Sequence, residues 1–339
     1  MTLKVALVSA DASPNIGGIA SCVKNIADNL CDFGDMEITT VTLASGPLEA
    51  GVLRWPSFGK GLLATPAKGF TAMLERDFDI IHIFNIHTPL ALVALGADMP
   101  RVVSPAWHGK SENGLRDLVW NLVRPFARHR IQGSFVQAFS TAEAKLLERD
   151  FSITPSVITQ GATLRVRNNI VPNSVLTVSR LVSEKRVERL IETISQHPTA
   201  TLTVVGDGAE IDSLRNLANQ KSPGRVLFTG RVSDETLDSL WSSTAVYASA
   251  SEYESFGISV AEAMVSGIPT VCSDIPSHRE MGANCVANSN KSWLEGLNVA
   301  LNSNTTPCMG ISTWSEYSEE VRDLYLKASN STSFASIHG

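Results

Sequence analysis

Twice along this chain, short apolar runs rich in β-branched residues alternate with stretches of helical spacing. That alternation limits the fold more than any single motif does. Val5–Ser9, Glu37–Thr42, Ile80–Phe84 and Arg101–Ser104 are strand candidates, with Ser134–Phe139 and Ser156–Thr159 weaker ones. Runs of about four to six such residues are what strands buried on both faces look like. Ala20–Leu30 reads as a helix. Near Asn173 the pattern restarts. Ser174–Ser179, Ala200–Val205, Arg225–Phe228, Ala245–Ala248 and Thr270–Cys272 read as strands. Val187–Gln196, Glu210–Ala218, Asp234–Ser242 and Gly257–Ser266 are the helices between them. Strands alternating with helices imply parallel βαβ units. The 339 residues give room for two domains of roughly 150 to 170 residues, each with its own core. The expectation is two open parallel-sheet α/β domains in series, joined within Gln160–Pro172. Trp314–Ala328 reads as a last helix, followed by a polar tail expected to be loose.

Charge and cysteine content narrow the function. A formal net charge of −6 argues against a general nucleic-acid binder, which is normally basic. Five cysteines, an odd number without metal-site spacing, read as reduced thiols of a cytoplasmic protein. No apolar run approaches the roughly 18 to 20 residues of a membrane span. Lys4–Ala10 is too short and too early for a signal-peptide core, so a buried first strand is expected there. Any membrane contact would then be peripheral, on the inner face.

In open parallel sheets ligands bind beyond the carboxyl ends of the strands. Two such domains facing each other would form one cleft, so residues just after strands are the candidates. Gly17 and Gly18 follow the first strand and precede a helix whose N-terminus suits an anion. Arg180 and Lys185 follow Ser174–Ser179, and two cations there suit a diphosphate. Arg186 and Arg189 read as solvated helix charges. Gly206-Asp207-Gly208 lacks the third glycine of a dinucleotide fingerprint and lies in the second half. Turn chemistry and a contact with a nucleotide base both account for it. Asp77-Phe78-Asp79 resembles a metal-binding pair, but it sits at the amino end of Ile80–Phe84 and reads as a turn. No other carboxylate cluster suggests a metal site. His108, after Arg101–Ser104, suits a sugar hydroxyl or phosphate oxygen, and His87 is a weaker candidate.

In SEYESFGISVAEAM, Glu254 leaves the strand Ala245–Ala248 and Phe256-Gly257 turns the chain into a helix. The amides of Phe256, Gly257, Ile258 and Ser259 then form an anion-binding helix N-terminus. Glu262 lies a little over one turn further on. Carboxylates accept hydrogen bonds from vicinal hydroxyls, so one glutamate per sugar, with phosphates between, explains the spacing.

EYESFGISVAEAMVSGIPTV resembles the E-x7-E signature of retaining glycosyltransferases of family GT4, which have the GT-B fold. The likeness extends in the family's order to VSRLVSEKRVERLIETI, LTVVGDGAEIDSL and VLFTGRVSDETLDSLW. In the first half, GGIASCVKNIADNL, FDIIHIFNIH and WHGK are similar but less distinctive. The resemblance implies a GT-B protein of two Rossmann-like domains. They are an acceptor-side domain over 1–165 and a donor domain over 166–312. A helix over 313–328 would cross back to the first domain, and 329–339 would be tail. It also implies roles. Arg180 and Lys185 hold the donor diphosphate. Glu262 binds the ribose and Glu254 the donor sugar. Phe256, Gly257, Ile258 and Ser259 offer amides, and Gly18 approaches the phosphates. His108 lies at the reaction centre, and Glu254, His108, Arg180 and Lys185 form the catalytic group. Attack would be on the front face, without a protein nucleophile, bound metal or other cofactor. The donor would be a UDP- or GDP-sugar and the acceptor a sugar, a lipid-linked sugar or a small molecule. The sequence departs from the family at Gln160-Gly161, where Asn-Gly is common, and at Ser179-Arg180, where Gly-Arg is common.

Two other readings compete. An NAD-dependent oxidoreductase leaves Arg180, Lys185 and both glutamates without a shared role. A non-catalytic nucleotide-sugar-binding protein would keep the site and lose turnover. Residues 116–133, which mix Trp120, Leu122, Val123 and Phe126 with arginines, read either as a basic surface for an anionic membrane or as a core-packed helix. Pro125 is expected to break that segment. Ser57–Leu74, with Lys60 and Lys68, is expected to contribute there or to form an acceptor loop.

Overall fold

The computed structural model describes residues 2–12, 17–59, 61–109, 114–303, 305 and 307–331. Lys60, Lys110 and most of the tail expected at 329–339 lie outside them. The chain divides into two compact units. One comprises Met1–Gly161 with Ser312–Gly339, the other Ala162–Ile311.

In chain order the first unit contains β1 (Leu3–Val8), α1 (Gly18–Leu30), β2 (Met36–Thr42), β3 (Val52–Arg54), β4 (Ser57–Phe58) and β5 (Thr65–Pro66). There follow α2 (Phe70–Asp77), β6 (Ile80–Phe84), α3 (Pro89–Ala94), β7 (Arg101–Ser104), α4 (Gly114–Ile131), β8 (Phe135–Ala138), α5 (Thr141–Phe151) and β9 (Ser156–Val157). Seven strands form a parallel sheet in the order β3-β2-β1-β6-β7-β8-β9. All five residues of β6 are buried, as a strand covered on both faces requires. The core gathers Val8, Ile81, Ile83, Leu90, Val103 and Phe151.

The second unit runs β10 (Ser174–Val178), α6 (Val187–Gln196), β11 (Thr201–Val205), α7 (Ile211–Lys221), β12 (Val226–Gly230), α8 (Asp234–Ser243) and β13 (Val246–Ser249). It continues through α9 (Ile258–Val265), β14 (Thr270–Ser273), α10 (Pro276–Glu280), β15 (Cys285–Val286) and α11 (Asn290–Leu301). Its six strands are parallel, in the order β12-β11-β10-β13-β14-β15. In α6, Val187, Leu190, Ile191 and Ile194 are buried, the i, i+3, i+4, i+7 stripe that drives such a helix onto a sheet. The chain then returns to the first unit as α12 (Trp314–Asn330), which opens with a Thr313/Glu316 capping box and packs on α1, β6 and β7.

A buried hydrogen-bond chain holds α12 there. Gln137 Nε2 donates to the carbonyl of Ile158 (3.1 Å) and to the Tyr317 hydroxyl (3.0 Å). Its Oε1 therefore accepts from Ser104 Oγ at 2.9 Å. Ser104 must then accept from His82 Nε2 (2.8 Å), which leaves His82 Nδ1 to accept from the Tyr325 hydroxyl (2.7 Å). Burial pushes the His82 pKa down to about 3, so the ring is neutral and this order of donors is fixed. Tyr325→Phe removes only the hydroxyl and strands His82 Nδ1. The expected cost is about 1–3 kcal/mol in urea unfolding, and a loss under about 0.5 kcal/mol would contradict the chain.

One expectation is corrected. Pro125 lies inside the continuous helix α4 and does not break it. Ala127 and Ile131 of α4 are buried in the core while Phe126, Arg128 and His129 are exposed. Ser57–Leu74, expected to contribute to membrane contact or to form an acceptor loop, contains the antiparallel pair Ser57–Phe58 and Thr65–Pro66 and the start of α2 at Phe70. Asp79 accepts from the Lys4 backbone N–H at 2.8 Å and Asp77 pairs with Arg76 at 2.7 Å, so Asp77-Phe78-Asp79 is accounted for by the strand entry. Among the described residues, no helix is long and apolar enough to cross a membrane.

Candidate functional site

The strand order of the second unit decides which loops meet. From β10 the sheet grows outward to β11 and β12 on one side, and through β13, β14 and β15 on the other. The loops after β10 and β13 therefore leave the sheet side by side at its switch point, where open α/β sheets bind ligands. The Glu252 N–H bonds to the Glu184 carbonyl at 2.9 Å, joining the two loops. Arg186, expected to be a solvated charge, ties them further by pairing with Glu252 (2.8 Å) and is itself held by Glu188 (2.7 Å).

Lys185 and Glu254 meet at this junction. Lys185 Nζ lies 2.6 Å from Glu254 Oε1, and their side chains are 13% and 21% exposed. Ser251 Oγ donates to the same oxygen at 2.8 Å. Burial alone would push the Glu254 pKa up. The Lys185 ammonium and the Ser251 hydroxyl outweigh it and hold the carboxyl below its usual range. Both contacts fall on Oε1, which leaves Oε2 for a ligand hydroxyl. Lys185 has two further N–H groups for a phosphate.

Phe256 is buried and anchors the turn into α9. Gly257 at the N-cap has φ 103°, and no side chain caps the helix. A side chain at Gly257 would meet Met281 and His278 at 3.3–3.4 Å, so glycine is required by conformation and by space. The N–H groups of Val260 and Ala261 both reach the Gly257 carbonyl. Those of Ile258 and Ser259 lie outside the helix ladder and make the positive end of α9. The Ser259 side chain bonds Tyr247, so Ser259 offers its amide.

Glu262 has a partner that sequence reasoning missed. Arg165 reaches Glu262 Oε1 at 3.1 Å, and its other terminal nitrogen pairs with Asp238. The Arg165 and Glu262 side chains are 17% and 13% exposed. Burial raises the Glu262 pKa, opposed by Arg165 and Thr163 and reinforced by Asp238. A carboxylate has about four acceptor positions, so ribose hydroxyls can join Arg165 on it.

Arg180 is more open. Its side chain is 56% exposed and only approaches Glu184, at 3.9 Å, so its guanidinium is available to an anion. Gly206 has φ 128°, and a Cβ on it would lie 1.9 Å from the Ser179 carbonyl oxygen. Backbone packing alone accounts for that glycine.

In the first unit the switch point lies between β1 and β6. Gly17 there is extended (φ 171°), and among the described residues nothing lies within 4 Å of where its side chain would be. Neither its conformation nor crowding among the described residues demands glycine there. Gly18 opens α1 and is exposed. His108, half-buried, stacks on His87 from the loop after β6 with ring centroids 4.9 Å apart, and His87 stacks on Trp107 at 5.1 Å. Glu143 clamps this loop, accepting N–H bonds from Trp107 (2.7 Å) and Phe139 (2.9 Å). Burial pushes its pKa up to about 7. Among the described residues, no group of three or more His, Cys, Asp or Glu is placed to hold a metal ion.

The family model described as glycosyl transferases group 1 matches residues 164–303. Among curated proteins, the chain is similar to the GtfA subunit of a UDP-N-acetylglucosamine–peptide N-acetylglucosaminyltransferase from Streptococcus pneumoniae. Identity is 32% over 110 residues, 31% of this chain and 21% of that protein. It is also similar to a GDP-mannose-dependent alpha-mannosyltransferase from Mycolicibacterium smegmatis, 32% identical over 108 residues, 32% of this chain and 27% of that protein. The aligned stretch thus spans only a fifth to about a quarter of these relatives. Among solved structures, sucrose-phosphate synthase from Thermosynechococcus elongatus superposes with a TM-score of 0.77 at 18% identity, covering 96% of this chain and 98% of that one. Anabaena HepE in complex with UDP and glucose gives 0.76 at 19% identity, covering 96% and 100%. At such identities the likeness shows the GT-B fold alone. Arg165, Arg180, Lys185, Gly206, Glu254, Phe256, Gly257, Ile258, Ser259 and Glu262 all fall within the matched residues, whereas Gly17, Gly18 and His108 precede them.

Proposed function

We propose that the protein is a retaining glycosyltransferase. It moves a hexose-type sugar from a UDP- or GDP-sugar to a sugar, lipid-linked or small-molecule acceptor. The observation that carries this is the Lys185–Glu254 contact at a switch point, beside the uncapped N-terminus of α9. Cations and amides in that arrangement suit a diphosphate, and the two carboxylates suit the hydroxyls of a sugar and of a ribose.

In this reading Lys185, Arg180 and the amides of Gly257, Ile258 and Ser259 take the diphosphate. Glu254 Oε2 accepts a hydroxyl of the donor sugar, and Glu262 accepts the ribose hydroxyls. As the bond between the sugar's anomeric carbon and the phosphate oxygen breaks, negative charge grows on the leaving diphosphate. Lys185, Arg180 and the positive end of α9 stabilise it, the largest source of rate enhancement where no protein nucleophile takes part. The acceptor oxygen bonds to the same face of that carbon, and its proton passes to the departing phosphate. Gly17, Gly18 and His108 are assigned to the same reaction on the sequence alone.

A thermal-shift panel of UDP, GDP, ADP and NAD, each with and without magnesium, tests the reading. A ligand bound by the native state raises Tm by mass action. One nucleoside diphosphate is expected to raise Tm without magnesium. A shift with NAD alone would overturn the reading in favour of an oxidoreductase. Binding of a nucleotide sugar without turnover would leave a non-catalytic binder.

A further inference from the structure

His278 is a buried polar group to which the donor reading gives no task. It sits on the short helix α10, with a side chain that is 0% exposed. Its Nδ1 lies 3.0 Å from the Ser273 carbonyl oxygen. A carbonyl only accepts, so Nδ1 carries the hydrogen. Burial holds the imidazole pKa below its ordinary value, so at neutral pH Nε2 is a bare acceptor. Nε2 is buried and has no hydrogen-bond partner, a rare and costly state.

The direction of Nε2 is informative. A Cβ placed on Gly257 would lie 3.4 Å from both Nε2 and Cδ2 of His278. The ring edge therefore faces the N-cap of α9, and the charges of Glu254 and Lys185 act on it. An unsatisfied acceptor and a helix end rich in unused donors share one corner. The α9 amides and Lys185 suit phosphate oxygens. Nε2 does not, because it needs an O–H, and a diphosphate ionised at neutral pH offers none. A sugar offers several.

We propose that His278 is a specificity-determining residue, its Nε2 accepting a hydrogen bond from one hydroxyl of the donor sugar held at the N-terminus of α9. This rests on the donor-site reading above.

Calorimetry of UDP, GDP and panels of UDP- and GDP-hexoses against wild type and His278→Phe tests it. Phenylalanine fills the space and removes the acceptor. The nucleotide sugar is expected to weaken about tenfold, the size of one hydrogen bond, with the parent nucleoside diphosphate within about twofold. Equal weakening of both ligands, or of neither, would overturn the role. If His278→Phe does not fold, wild type with monodeoxy versions of the bound sugar decides. Loss at two separate hydroxyls, one more than Glu254 accounts for, supports the proposal, and loss at one or none refutes it. A wild type that binds no nucleoside diphosphate would sink the donor-site reading itself, whereas normal diphosphate binding with an indifferent His278 sinks only this inference.

Discussion

Replacing Lys185 with methionine should cut sugar transfer about a hundredfold or more and also destabilise the second unit. The first effect comes from charge. Removing one preorganised group that stabilises transition-state charge costs about 10²–10³ in turnover, and Lys185 is placed where the diphosphate is proposed to depart. The second comes from what is left behind. Glu254, 21% exposed, loses its cation, and breaking a largely buried pair from one side costs about 3–5 kcal/mol. For a unit of this size that is a fall in Tm of roughly 6–20 °C. The double variant Lys185→Met/Glu254→Gln removes the stranded charge, so it should recover most of the stability and none of the turnover. Comparable stability of single and double variants would show that the pair is not coupled. Near-normal transfer by either would remove Lys185 from the reaction.

The same variant has a pH signature. In the wild type the Glu254 pKa is depressed, so the folded state holds the carboxylate more firmly than the unfolded chain does. That contribution is present above the unfolded value and is lost as pH falls through the folded one. Without Lys185 and its charge, burial dominates and the pKa rises. Lys185→Met should therefore gain stability relative to wild type on acidification.

The Lys185–Glu254 pair also shows where sequence reasoning stops. Ile80–Phe84, Arg101–Ser104 and Val187–Gln196 were legible to the residue, because full burial and a 3.6-residue stripe both write themselves into composition. Helix α5 was missed although Ser140 and Glu143 carry an N-terminal signal, with Ser140 Oγ accepting the Glu143 N–H at 3.1 Å. No apolar run of comparable strength advertised it. The candidate residues were legible as types at the ends of strands. Their pairing was not. Lys185 and Glu254 are 69 residues apart and meet only because β13 pairs with β10, a fact of strand order that local pattern does not encode. Arg165 and Glu262 are 97 residues apart, and Arg165 sits in a stretch that reads only as a linker. Gly206 shows an ambiguity of another kind: its motif reads equally as a turn and as a ligand contact, and the approach of Ser179 requires glycine there whether or not a ligand binds.

Glu262→Ala should weaken nucleoside diphosphate binding by roughly 10- to 100-fold, the worth of one or two hydrogen bonds to a charged acceptor. The test of cause lies in the ligand. If Glu262 holds the ribose, the wild type should lose a similar factor when the bound nucleotide is replaced by its 2′,3′-dideoxy analogue, and the variant should lose little more. Removing either partner of one contact removes the whole contact, so the two losses should fail to add. Additive losses would place Glu262 elsewhere. Stability should fall less than for Lys185→Met. Arg165 keeps Asp238 as a partner, so no cation is stranded, and the deleted carboxyl is one whose charge burial already disfavours. The sign follows from that raised pKa. Its contribution is fully present below the unfolded value and is lost as pH rises through the folded one, so the variant should compare best with wild type above that window. The two glutamates thus respond to pH in opposite directions, because Lys185 outweighs burial at Glu254 and Arg165, shared with Asp238, does not outweigh it at Glu262.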